Sequence, residues 1–211
     1  VEGTTLRQQI QAPNPVLNIS RRNEDVATDT LYSNTPAIDD GSTAAQFFIG
    51  LISKFRSIHS LGKSDKEMVN SLMDEIRKRG AMNRLISDQA KAELSARVLD
   101  VLRVLVIGDW QSESKQQRQN FAERGWKDTK SMVNNLLNMS GAPSELWLLA
   151  LEYVCFLQNH VAYKSLGWRT PTEWLLGYTP DISVFPQFTF YQPIYYSNGK
   201  QSFPDVHNLI A

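Results

Sequence analysis

"QNFAERGWKDTKSMVNNLLNMSGAPSELWLLALEYVCFLQNH", residues 119–160, carries most of the fold information in this chain. Ala122, Trp126, Val133 and Leu136 recur at helical spacing, which predicts a helix over 115–139 that lays this stripe on a sheet. Trp147, Leu148, Leu151, Val154, Cys155 and Leu157 cover most of a second helix, over 143–164, and read as core. Near the start of the first helix, Glu123 lies among Lys115, Arg118, Arg124, Lys127 and Lys130, just after a polar, glutamine-rich loop. A glutamate in such a place is an ordinary solvated helix residue unless other acids meet it. The rest of the chain has to supply them.

At the other end, residues 1–23 are polar and aperiodic, with Pro13 and Pro15, as expected of an arm or linker. "DVATDTLYS" (25–33) is rich in strand formers, and Asp40-Gly41 gives a turn before a second strand over 42–52. A third strand is expected over 54–61. Ser64 can then cap a helix in which Met68, Leu72 and Ile76 recur and which Gly80 stops. "NRLISD" (83–88) reads as a short strand ending in Asp88, "KAELSARVLDVLR" (91–103) as an amphipathic helix, and "VLVIGD" (104–109) as a buried strand. After the two long helices comes a short one over 170–177, then aromatics alternating with turn residues. An antiparallel start followed by alternating elements implies an α/β protein, a mixed sheet covered by helices on its faces. The expected organisation is an arm over 1–23, a core over 24–180, and the start of an incomplete C-terminal β segment over 181–211.

Lys and Arg balance Asp and Glu, 22 against 22, so net charge favours neither nucleic acid nor membrane. The distribution is uneven. Residues 77–103 hold seven Lys/Arg against three acids, and 115–130 hold five against two, which is compatible with a polyanion-binding face. One cysteine excludes an internal disulfide and fits a reducing compartment, and three scattered histidines exclude a Cys/His zinc site. The longest apolar run, 146–157, is short for a membrane span and contains Glu152, and no signal-peptide pattern opens the chain. An intracellular soluble protein, or a piece of one, is expected.

Three acids occupy matching places in the element order: Asp29 mid-strand, Asp88 at a strand end, and Glu123 in a helix. An aspartate in the middle of a half-buried strand is disfavoured by propensity and by desolvation. A divalent metal gives it a reason, because hard cations take carboxylate oxygens. Two such ions about 4 Å apart activate an attacking oxygen and stabilise the leaving one in phosphoryl transfer. Asp109 and Glu113 read as loop or cap residues, His160 as a helix end, and Asn159 and Arg169 as surface residues able to touch DNA.

"TDTLYS", "LISDQAKAE" and the 119–160 stretch resemble the integrase catalytic core of copia-type long-terminal-repeat retrotransposons. "YKSLGWRTPTEWLLGYTPDIS" is similar to the segment just after the core in those polyproteins. The resemblance spans about residues 25–195 and is most specific over 119–180. It implies a retroviral-integrase-like, ribonuclease-H-like fold: a mixed five-stranded sheet flanked by helices. It implies Asp29, Asp88 and Glu123 as catalytic acids holding two Mg²⁺ ions, with Mn²⁺ as substitute, Asp29 bridging both. Lys127, Lys130, Arg124 and Arg118 would meet DNA phosphates. The implied partners are retrotransposon end DNA, target DNA and further copies of the chain, with no membrane. The implied location is the nucleus, with a cytoplasmic virus-like-particle stage. Two departures stand out, Asp88-Gln89-Ala90 and Gln119-Asn120-Phe121, where the family has a glycine in third place; their loss stiffens loops expected to flex. The family's N-terminal zinc-binding module is not seen, so an excised core or a fragment of a degraded element is expected. The alternative is a domesticated or decayed ribonuclease-H-like domain that binds DNA or protein without catalysis. A ribonuclease H proper is disfavoured by the QNFAER context of the third acid.

Overall fold

Alternation along the strands sets the layers. The computed structural model describes residues 19–62, 65–87, 95–111, 121–183, 188–196 and 208–210. In β1 (Asp25–Tyr32), Val26 packs to one face of the sheet, and Ala27 and Leu31 to the other. β2 (Ala44–Gly50) is buried throughout, Phe48 joining Val26 and Phe47 joining Ala27. A strand buried on both faces must lie inside the sheet and not at its edge, and β2 does. The sheet order is β3-β2-β1-β4-β5, with β3 at Arg56–Leu61, β4 at Arg84–Ser87 and β5 at Gly108–Gln111. β2 runs antiparallel to β1 and β3, while β4 is parallel to β1 and β5 to β4. This is the mixed five-stranded sheet expected from the sequence.

Helices cover both faces. α1 (Asp65–Arg79) and α2 (Ala96–Val104) pack on the Val26 face through Met68, Leu72, Ile76, Val98 and Leu102. α3 (Phe121–Ser140) and α4 (Trp147–Asn159) pack on the Ala27 face through Val133, Leu151, Val154 and Cys155. α1 ends where expected: Gly80 has φ +91°, and a Cβ there would meet the Ser20 carbonyl at 2.8 Å. α5 (Pro171–Leu176) is capped by Thr170, whose hydroxyl accepts from Glu173 N–H at 3.0 Å. β6 (Ile194–Tyr196) and β7 (Asn208–Ile210) form a separate antiparallel pair.

Two expectations are corrected. "VLVIGD" is not a buried strand. Val104 ends α2, Val106 turns at φ +53°, and both are exposed, while Ile107 is buried and the strand starts at Gly108. An apolar run of this length fits a helix end as well as a strand, and composition alone does not separate the two. The second long helix is also shorter than 143–164. A 3-10 turn at Ser144–Leu146 precedes α4, and His160 closes it with its N–H on the Leu157 carbonyl at 2.9 Å. Ser64, and residues 115–120 of the expected first helix, lie outside the described residues.

Off the sheet edge, Ile19 packs into the α1–α2 core, and Arg22 is buried between two carboxylates. Its Nε donates to Glu24 at 2.5 Å and its Nη1 to Glu75 at 2.8 Å. Ser53 donates twice to Glu24, and Ser57 donates to Glu75 at 2.6 Å. Each charge of this buried cluster therefore has a partner, as burial demands.

Candidate metal centre and nucleic-acid face

Asp29 sits opposite Phe47 in the β1–β2 ladder and is half-buried. Its neighbours Thr28 and Thr30 turn toward the α1 side, where both hydroxyls bond the buried Gln46 amide. By alternation Asp29 projects to the other face, the one that carries Ala27, Leu31 and Phe47 under α3 and α4. A carboxylate is thus placed on the central strand, beneath a helix.

The helix arrives close by because of one glycine. A Cβ on Gly125 would stand 2.7 Å from Ile49 Cδ1 and 3.8 Å from the Phe47 ring, so the first turns of α3 lie directly on β2. Trp126 flanks this contact with its ring centroid 6.2 Å from that of Phe47. Thr129 fixes the helix laterally, donating to Gln158 on α4 at 3.0 Å. Glu123 is two residues before Gly125, in the first turn of α3, and is exposed. Asp29 and the first turn of α3 therefore lie on the same side of the sheet, with Glu123 about 160° round the helix from the buried Gly125.

Asp88 and Arg118 lie outside the described residues. β1 and β4 pair in parallel with Ala27 opposite Ile86, and both residues belong to the core beneath α3 and α4. Two positions further along the sequence from each come Asp29 and Asp88. Among the described residues no three His, Cys, Asp or Glu side chains are grouped to hold a metal ion.

Lys127 and Lys130 are exposed on α3, four and seven positions after Glu123, and at 3.6 residues per turn the three share one side of the helix. Arg124 is exposed about 100° further round. The buried side of the helix is Gly125, Thr129 and Val133. Cys155 is core: burial pushes its thiol up to about 12, which removes it as a nucleophile at neutral pH.

Asn159 corrects the sequence reading. It is buried, and its amide accepts from Arg56 N–H at 2.8 Å and donates to the Arg56 carbonyl at 2.7 Å, clamping the outer edge of β3. It has no surface to offer DNA. Asp109 lies exposed in β5 opposite Leu85, and Glu113 lies outside the described residues.

Solved structures resemble this architecture closely enough to classify it. The catalytic core domain of BIV integrase superposes with a TM-score of 0.57 at 15% identity, over 74% of this chain and 95% of that one. The HTLV-2 integrase catalytic core domain in complex with magnesium gives 0.57 at 14% identity in both its trimeric and dimeric forms, covering 72% and 74% of this chain and 96% and 97% of those. The fold is that of a retroviral integrase core. No family model and no curated protein matches the sequence. At such identity the likeness extends to the fold alone.

Proposed function

We propose that the chain is the catalytic core of a metal-dependent polynucleotidyl transferase, an integrase that trims copia-type retrotransposon ends and joins them to target DNA. The observation that carries this reading is a half-buried aspartate, Asp29, at mid-strand on the sheet face that α3 covers, with Glu123 in the first turn of that helix. The β1–β4 register supports the third member: carried two positions beyond Ala27 and Ile86, it would set Asp88 beside Asp29.

The donor set fits a hard divalent cation. Asp29, Asp88 and Glu123 offer carboxylate oxygens alone, and Cys155 is taken up in the core. Asp29, Asp88 and Glu123 would hold two Mg²⁺ ions or Mn²⁺ in their stead, Asp29 contributing to both. When bound, such ions activate an oxygen nucleophile and stabilise the leaving oxygen of an in-line displacement. The protein's own part is positioning. The packed β1–β2 ladder fixes Asp29, and the Gly125 contact fixes the height of Glu123 over the sheet. Lys127, Lys130, Arg124 and Arg118 would hold the DNA backbone beside the acids, each contact releasing a condensed counterion. The nucleophile is water or a DNA 3′-hydroxyl, so no covalent protein–DNA link forms. The working form is a homo-oligomer, acting in the nucleus after a cytoplasmic virus-like-particle stage.

A disintegration assay on branched DNA, with Mg²⁺ or Mn²⁺, tests the reading. Metal-dependent resolution of the branch is expected, and EDTA abolishes it. A folded protein that binds the branched DNA yet leaves it intact with either metal would establish the non-catalytic alternative instead.

A further inference from the structure

Arg56 opens β3 and Arg79 closes α1, and both line a cavity of about 340 Å³ between β3, α1, α4 and α5, two strands away from Asp29. Arg56 is more than nine-tenths buried. Its Nη1 donates to the Lys54 carbonyl at 3.0 Å and to the Tyr163 hydroxyl at 3.3 Å, both uncharged acceptors. Its Nε is buried without a hydrogen-bond partner, and so is the Nε of Arg79. Arg79 lies over the Phe55 ring at 4.6 Å, and among the described residues neither guanidinium pairs with a carboxylate. Lys78 lines the same cavity and is exposed.

A buried guanidinium without counter-charge, as at Arg56, is the exception in folded proteins, where such groups are otherwise paired; Arg79 is partly buried, with its Nε enclosed. The cavity's own carboxylates do not fill this need. Glu75 is taken up by Arg22, Ser57 and His59. Glu152 is exposed on α4 and, among the described residues, makes no ion pair with either guanidinium. The polar wall is thus set for an oxyanion, and two guanidinium forks with an ammonium match a phosphate better than a monovalent carboxylate. The opposite wall is apolar, formed by Phe156, Leu176 and Tyr178, all partly exposed at the mouth. A cavity of this size accepts more than a bare ion.

We propose that this cavity binds a small phosphomonoester of mononucleotide size, its phosphate on Arg56, Arg79 and Lys78 and its organic part against Phe156, Leu176 and Tyr178. The site is independent of the proposed catalytic acids and of divalent metal. Calorimetry in EDTA, with adenosine 5′-monophosphate, inorganic phosphate and adenosine as probes, tests it. The monophosphate binds saturably at one site, phosphate binds more weakly, and adenosine does not bind. Arg79→Gln and Lys78→Gln each weaken the monophosphate by roughly tenfold, as loss of one charge-assisted contact does. Tyr178→Ala weakens the monophosphate but not phosphate, and Glu123→Gln changes neither. Lys78 and Tyr178 are exposed, so their variants fold even if a change at Arg79 does not. Absence of monophosphate binding, equal affinity for phosphate and monophosphate, loss of binding in Glu123→Gln, or parental affinity in Lys78→Gln would each overturn the proposal.

Discussion

Asp29 owes its position to neighbours that compensate each other. Thr28 and Thr30 satisfy Gln46 on one side of the sheet, which turns the carboxylate between them to the other. Asp29→Asn keeps size and shape, so its thermal midpoint should match the parent within a few degrees. Its metal-dependent strand transfer should fall by about a thousandfold or more, since the contribution removed is several kcal/mol of charge stabilisation. Comparable loss of fold and activity, read by circular dichroism beside the assay, would make Asp29 a structural residue. Lys127 and Lys130 make a second case at this scale. Each alanine variant should weaken DNA binding and lower the salt slope by about one, with little change in stability. Parental binding across a salt titration would turn this side of α3 away from the substrate.

At the scale of elements, the contact between α3 and β2 decides whether Glu123 reaches the site. Gly125 permits it, because any side chain larger than hydrogen presses on Ile49. Gly125→Val should cost about 1–3 kcal/mol by overpacking, seen in urea unfolding, and should lower activity by tilting the first turn of α3. Unchanged stability would mean the helix rides higher than this packing places it. Much of this layer was legible in the sequence. β1, β2 and β3 announced themselves through strand formers and the Asp40-Gly41 turn, and α1 through Met68, Leu72, Ile76 and Gly80. Glu123 stood out through its ring of cations. What escaped was what depends on distant partners. The short edge strand β5 shows only Gly108–Gln111, with no alternation to read, and its preceding apolar run belonged to a helix end. Asn159 looked like a surface residue because its partner Arg56 is 103 positions away. The missing counter-charge of the Arg56 and Arg79 guanidinium groups carries no sequence signature at all, since burial and pairing are tertiary facts.

For the whole molecule, the buried Arg22–Glu24–Glu75 cluster ties the N-terminal edge to α1 and makes stability depend on pH. Burial alone would raise the Glu75 pKa, but the His59 hydrogen bond, the Arg22 charge and the Ser57 hydroxyl outweigh it and hold it below the usual 4.5. A depressed carboxyl contributes stability above its unfolded value and loses it as pH falls through the folded value. Glu75→Gln should therefore be less stable than the parent by about 3 kcal/mol or more at pH 7, the cost of breaking a buried pair. That gap should shrink steadily below pH 4.5. A gap that stays constant on acidification would show that Glu75 contributes by packing and not by charge. The same frame holds the two ends of the proposed metal centre, one on the central strand and one on the covering helix. The most direct measurement is an anomalous-scattering map from crystals of the chain grown with Mn²⁺. Manganese density bounded by the carboxylates of Asp29, Asp88 and Glu123 is expected, and its loss in a Glu123→Gln, Asp29→Asn double variant. Manganese absent from that face in ordered crystals, or bound there without touching Asp29, would contradict the proposed centre.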